Sequence, residues 1–111
     1  MIEKILYDYL NMALSVPAYM ERPDAPPASF VLIEKTGGSR QEHIQGAVIA
    51  LQSMAQTLYK SAALNEEVKT VMDDLIDLPD VSAVHLNSDY NYTNKARKEY
   101  RYQAVYEIVY Y

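Results

Sequence analysis

The chain lacks cysteine and tryptophan altogether, although it has 111 residues. The absence of cysteine excludes disulfides, zinc fingers and thiol chemistry, and it fits a reducing compartment. With only three glycines and five prolines, the chain is neither collagen-like nor broadly disordered. No apolar run approaches the roughly 18 residues of a membrane span. The start, Met1-Ile2-Glu3-Lys4, does not have the form of a secretory signal. We therefore expect a soluble intracellular protein.

Positive charge is also scarce, because 15 acids stand against 10 bases and give a net charge of −5. This balance disfavours DNA binding through a basic face. Tyrosine is abundant by contrast, with 11 tyrosines beside a single phenylalanine. Tyrosine suits surfaces that become buried against a partner, since it combines a large apolar ring with a polar hydroxyl. Tyrosines paired across a sheet would give the same composition.

The spacing of apolar residues predicts an α+β fold with an antiparallel sheet of about four strands. We expect an N-terminal helix and one long central helix packed on that sheet, in a single domain over 1–111. The long helix stops at Pro79, and its apolar stripe slips near Ala63, where a break is possible. The predicted elements are a helix over 2–14, a short edge strand over 18–20, a strand over 30–36, a central strand over 43–51, a helix over 52–78, and strands over 81–90 and 100–111.

Two polar segments are predicted as connections between strands. Gly37 and Gly38 are expected to end the strand over 30–36 and to begin a polar hairpin loop over 37–42. The strand that follows is apolar on both faces, so we expect it to be central and covered on both sides. A second hairpin tip is predicted over 91–99.

Catalytic chemistry is missing from the pattern. His43 and His85 lie on different predicted strands without metal-binding spacing, which favours structural or exposed histidines. The segment 37–40 lacks the GxxxxGK[ST] pattern of a phosphate loop. The carboxylates of Asp73, Asp74 and Asp77 are typical of a solvated helix surface rather than of a cation site. The sequence therefore predicts no enzyme, no cofactor and no metal site.

One group of charges stands apart from the acidic background. Lys95, Arg97, Lys98 and Arg101 form a small basic patch in and beside the second hairpin tip. Such a patch either contacts an acidic partner surface or is simply a solvated tip. The sequence leaves both interpretations open.

Two segments of the chain resemble the tail terminator, or tail completion, proteins of long-tailed phages and prophages. The first is FVLIEKTGG at 30–38, followed by a polar loop and the strand AVIALQS at 47–53. The second is YRYQAVY at 100–106, preceded by DYNYT at 89–93. The resemblance covers nearly the whole chain, and neither segment is a catalytic signature.

The resemblance implies a structural virion protein that forms a ring, usually a hexamer, on the end of the finished tail tube. Such a ring ends tail polymerisation and provides the surface for head attachment. The implied partners are further copies of the chain, the tail tube protein and the head–tail connector protein. DNA passes through the hole without specific nucleic-acid binding, and no membrane or cofactor is involved. The implied location is the virion tail, with assembly in the host cytoplasm.

The resemblance also assigns a subunit or tail interface to the two signature strands. Gly37 and Gly38 match the family's turn, and Glu34, Lys35 and Arg101 match its charged positions. These charges either make charge-assisted contacts that fix the loop or a neighbouring subunit, or form surface ion pairs worth under ~1 kcal/mol. The loop over 38–43 is expected to touch the tail tube or an adjacent ring protein. The assigned residues are Glu34, Lys35, Gly37, Gly38, Ser39, Arg40, Arg101 and Tyr102.

Two other functions compete with this one. A capsid-side head–tail connector, or neck protein, has a similar size and build, and a binding test against the tube protein separates the two. A small enzyme or ligand-binding domain with a site lined by tyrosines is the other alternative. A deep pocket with a perturbed histidine or carboxylate would support it.

Overall fold

The computed structural model describes all 111 residues and has two α-helices beside a five-stranded mixed sheet. The strands follow the order β1-β2-β3-β5-β4, with β1 parallel to β2 and every other pair antiparallel. The α+β prediction is confirmed, but the sheet has five strands rather than about four and is not wholly antiparallel. The elements are α1 Ile2–Ala13, β1 Ala18–Tyr19, β2 Phe30–Gln41, β3 Ile44–Ala55, α2 Leu58–Met72, a 3-10 helix Leu75–Asp77, β4 Val81–Asn91 and β5 Tyr100–Tyr110.

Both helices pack on the same face of the sheet. Their buried side chains recur at helical spacing and meet the inward-facing residues of the strands, which alternate along each strand with outward-facing ones. No helix is long and apolar enough to cross a membrane. The largest fully buried apolar side chains of this core are Ile2, Leu6, Leu10, Val31, Ile49, Leu51, Val68, Met72, Leu75 and Ile108.

The predicted edge strand is present, and Asn11 explains its position. The side-chain amide of Asn11 donates to the Ala18 carbonyl at 3.0 Å, and the Ala18 amide donates back to Asn11 Oδ1 at 2.9 Å. The Val31 amide donates to the carbonyl of Pro17 at 3.0 Å. The chain therefore leaves α1 already aligned with the start of β2, and this contact makes β1 parallel.

The predicted turn at Gly37 and Gly38 is wrong, because β2 continues through both glycines to Gln41. Neither glycine has a positive φ. The register shifts between Lys35 and Gly37, which is where β2 bulges. The chain turns instead at Glu42 and the residue that follows it, and Glu42 has a φ of 53°. Most of the predicted loop over 37–42 is thus hydrogen-bonded strand.

The predicted long helix over 52–78 is wrong at both ends. Residues 52–55 belong to β3, where they pair with β2 on one side and β5 on the other. The helix begins at Leu58, after Thr57 Oγ1 accepts a hydrogen bond from the Lys60 amide at 3.1 Å. It continues unbroken through Ala63 and ends at Met72, ahead of the short 3-10 helix.

The two long hairpins end at opposite ends of an elongated molecule of 44 × 25 × 25 Å. The β2–β3 turn lies beside the end of β5, since Gln45 pairs with Tyr110. The β4–β5 tip lies at the other end, where Arg101 pairs with Met54. The predicted polar tip is confirmed, and a bridge between Asn94 and Glu99 closes it.

Candidate interaction surface

The face of the sheet opposite the helices, here called the open face, carries neither helix. Its centre is apolar and half-buried, at Leu32, Val48 and Val105. Two exposed carboxylates, those of Glu34 and Glu107, flank this patch. The prediction that β3 is central is confirmed, but a helix covers it on one side only. An apolar strip with a charged border is typical of a surface that another protein covers.

A polar row crosses the open face and holds its side chains in place. The Gln52 amide nitrogen donates to Gln103 Oε1 at 2.9 Å and lies 3.5 Å from a carboxylate oxygen of Glu34. The Gln103 amide nitrogen donates in turn to the Tyr90 hydroxyl at 2.5 Å. Gln52 is only 8% exposed. These bonds satisfy polar groups that the flat apolar surroundings would otherwise leave unpaired.

The predicted interface residues of β2 lie together but on two sides of the sheet. Strand alternation places Glu34 and Ser39 on the open face, whereas Lys35 and Arg40 project on the helix side beyond the helices. Lys35 and Arg40, with the two glycines, line a shallow cavity of about 500 Å³ that also includes Tyr110. Glu34 and Lys35 form no ion pair within the chain, so the predicted charge pairing does not occur inside one copy.

The other two predicted interface residues, Arg101 and Tyr102, lie far from this hairpin. Arg101 Nε donates to the Tyr92 carbonyl at 2.7 Å, its guanidinium lies 4.6 Å from the centre of the Tyr92 ring, and Glu99 is 3.8 Å away. Tyr102 pairs with Ser53 and Asn91 on the helix side. Arg101 therefore stabilises the β4–β5 hairpin of its own copy, a role that sequence spacing alone did not indicate.

A groove that the sequence pattern does not predict lies between α2 and β4. It has a volume of about 370 Å³, and six of its seven lining residues are hydrophobic, among them Ile76 and Leu86, which are 43% and 37% exposed. Asp73 lines it, and Asp74 and Asp77 are exposed on the same stretch of chain. We call this feature the acid-rimmed groove. The one sign of this groove in the sequence is the apolar Ile76 among three acids. Because a helix is predicted over 52–78, an apolar residue at position 76 does not stand out there.

The ring of Tyr106 forms part of the wall of this groove. Tyr106 is 3% exposed, and burial, followed by the carboxylate of Asp73, raises the pKa of its hydroxyl to about 12. Burial also raises the pKa of Tyr9, with Asp74 and Asp77 adding to the effect. Tyr9 donates to the Val71 carbonyl at 2.6 Å. The negative charge of Asp73 thus helps to raise the pKa of Tyr106, and that of Asp74 and Asp77 helps to raise the pKa of Tyr9.

Neither histidine lies in an enclosed site. His43 lies in the β2–β3 turn, and His85 is exposed on β4 opposite Glu107. No group of three or more potential metal-ligating side chains converges anywhere in the chain. No protein-family model matches the chain, and no curated protein resembles it significantly.

Proposed function

We propose that the chain is a structural virion protein of the tail-terminator type, which caps the phage tail tube as a ring, ends tail polymerisation and presents a surface for head attachment. The observation that carries the proposal is the open face, a half-buried apolar strip on a five-stranded sheet with no helix over it. A ring needs two different patches on each subunit, one for each neighbour. The open face and the projecting β2–β3 hairpin supply such material.

The β2–β3 hairpin suits contact with a neighbouring protein in this role. Its residues Ser39, Arg40 and Glu42 are exposed or half-exposed, and the paired backbone holds them in a defined geometry. A rigid, hydrogen-bonded projection loses less conformational entropy on docking than a flexible loop. We assign contact with the tail tube or the adjacent ring protein to this hairpin.

The test uses the tail tube protein of the same phage or prophage, polymerised with and without the purified chain. We expect shorter tubes whose ends carry ring-shaped caps in negative-stain images. The variant V48K/V105K places two charges on the open face and should lose this activity while keeping the circular dichroism of the wild type. M12K/A63K adds the same two charges at exposed helix positions, is the control and should cap normally.

A chain that neither binds tubes nor limits their length contradicts the proposal. Binding to the capsid-side portal assembly instead of the tube would favour the neck-protein alternative. Capping by V48K/V105K at the wild-type level would remove the open face from the mechanism.

A further inference from the structure

The β4–β5 hairpin tip carries positive charge that the rest of its own chain leaves unpaired. Lys95, Arg97 and Lys98 are exposed, and none of them forms an ion pair. The turn is ordered, because Asn94 pairs with Glu99 and the Arg97 amide donates to Asn94 Oδ1 at 3.3 Å. The other 108 residues hold seven bases and 15 acids, a net charge of −8. A structured basic projection on so acidic a molecule is suited to an acidic surface.

The acid-rimmed groove has the complementary character. Asp73, Asp74 and Asp77 take part in no ion pair, so their charges are not neutralised within the copy. Asp73 lines the apolar groove itself, and Asp74 and Asp77 follow it in the turn and the 3-10 helix after α2. Lysine and arginine side chains match such a surface, since their methylene stems cover apolar atoms while their charged heads stay at the rim.

The tip cannot reach the groove of its own copy. From Leu86, the wall residue of the groove nearest the tip along β4, the strand runs five residues to Asn91, which is about 17 Å at ~3.3 Å per residue, and the tip lies beyond that point. Contact between tip and groove is therefore possible only between two copies. It joins different patches on each copy, which is the head-to-tail arrangement that closes into rings or extends into filaments.

We propose that the basic hairpin tip of one copy, with Lys95, Arg97 and Lys98, docks in the acid-rimmed groove of the next copy. This inference rests on the proposed ring and adds a further subunit contact to the one proposed for the open face and the β2–β3 hairpin. A second copy fits better than nucleic acid, because the surface around the tip belongs to an acidic molecule that repels phosphates. The contact is exposed and ionic, so it weakens as salt screens the charges.

The absence of cysteine permits a direct test in the full chain. A96C places a thiol on the tip, and I76C places one in the groove. The I76C thiol is first converted to its mixed disulfide with thionitrobenzoate, and A96C is then added at low salt. The tip thiolate attacks the protein sulfur, which forms the intermolecular disulfide and releases thionitrobenzoate as the measured leaving group. M12C, on a residue that is 76% exposed on α1, is the matched control.

We expect release from I76C to be much faster than release from M12C, and the difference to shrink at high salt. Equal rates for the two variants would overturn the inference.

A charge exchange gives the second measurement. K95E/R97E and D73K/D77K should each lose self-association by about tenfold or more, and an equimolar mixture should regain it, because each variant then meets an opposite charge. A mixture that stays monomeric contradicts the contact.

The failure of this inference is distinguishable from the failure of the proposed function. Tube capping by the wild type without preferential I76C exchange leaves the terminator role standing and removes this contact. Preferential exchange with I76C, without tube capping by the wild type, supports this contact and contradicts the terminator role. If A96C shows no preference and the wild type binds duplex DNA through Lys95 and Arg97, the tip is a phosphate-binding element and the inference is overturned.

Discussion

At the scale of single residues, the clearest consequence of burial concerns Tyr106. Its pKa of about 12 lies above the ordinary value of 10, so the folded state holds the phenolic proton more tightly than the unfolded state does. Stability from this group is complete below pH 10 and falls as the pH rises toward 12. At ~1.4 kcal/mol per pKa unit, the loss reaches about 3 kcal/mol.

Y106F removes the titrating hydroxyl and is the test of this prediction. We expect the unfolding free energy of the wild type to fall more steeply than that of Y106F between pH 10 and 12, as measured by urea denaturation. Comparing the two proteins cancels the titration of lysines and of the other tyrosines. Parallel slopes would show that Tyr106 titrates normally.

Asn65 provides a second residue-scale prediction, because it is 1% exposed and connects α2 to β4. Its amide nitrogen donates to Asp89 Oδ1 at 3.1 Å, and Lys69 Nζ contacts the same oxygen at 3.3 Å. N65A loses this bond and should cost about 1–3 kcal/mol. N65D should cost more at neutral pH, since it places a buried carboxylate against the carboxylate of Asp89, and part of the deficit should disappear in acid. Urea unfolding at both pH values measures it.

At the scale of elements, the start of α2 depends on one cap. Thr57 accepts from the Lys60 amide and is the only side chain that caps this helix end. T57A should lower the unfolding free energy by about 1 kcal/mol, whereas T57S keeps the hydroxyl and should lie close to the wild type. Thermal denaturation of the three proteins checks this order. An equal loss in T57S would point to the methyl group rather than the cap.

In β2, by contrast, we predict that a substitution is tolerated, because backbone geometry does not require the glycine at position 37. Gly37 has no positive φ, and an added Cβ would meet only Val48 at an ordinary 3.8 Å. G37A should therefore be neutral, or stabilising by up to about 1 kcal/mol through the unfolded state. Gly46 is the contrast, because a Cβ there would lie 2.7 Å from Ser39 Oγ. If G37A is clearly destabilising and G46A is not, this account of β2 is wrong.

Helix α2 and strand β2 also show why some of the fold is predictable from the sequence and some is not. Helix α1 and strands β1, β4 and β5 follow local pattern, with a break before Pro17 and alternation in β5 that no other element contradicts. Gly37 and Gly38 look like a turn locally, but β3 supplies hydrogen bonds along the whole of β2. Residues 52–55 look helical until β2 and β5 bond them from both sides. Long-range pairing decided both cases, and a local window does not contain it.

The same reasoning applies to the candidate surface. Glu34, Lys35 and residues 37–40 are predicted as parts of one interface, and they do lie together, but only the register reveals that they alternate between two sides of the sheet. Arg101 was grouped with them by resemblance alone, although its partners Tyr92 and Glu99 are local. The acid-rimmed groove needs both α2 and β4, which are distant along the chain, so Ile76 among its acids indicates only one wall of it.

At the scale of the whole molecule, net charge determines the affinity for DNA that the proposed ring would have. One copy carries −5, and a ring of six would carry −30 in total. Affinity for duplex DNA depends on bases that neutralise phosphates and release counterions. The three free bases of the tip are occupied by the neighbouring copy in the proposed contact. The net negative charge that remains on such a ring would then repel DNA rather than hold it.

We therefore predict that the assembled protein binds duplex DNA more weakly than a Kd of about 10⁻⁴ M at physiological salt, the weak limit of ordinary non-specific binding. Fluorescence anisotropy with a labelled duplex measures this. D73N/D77N is the informative comparison, because it weakens the acidic groove and adds no base that could itself bind phosphate. The tip bases then face solvent, and DNA affinity should rise and fall again with added salt. Tight binding by the wild type would contradict repulsion by the assembled protein, and unchanged affinity in D73N/D77N would show that the tip is not held by the groove.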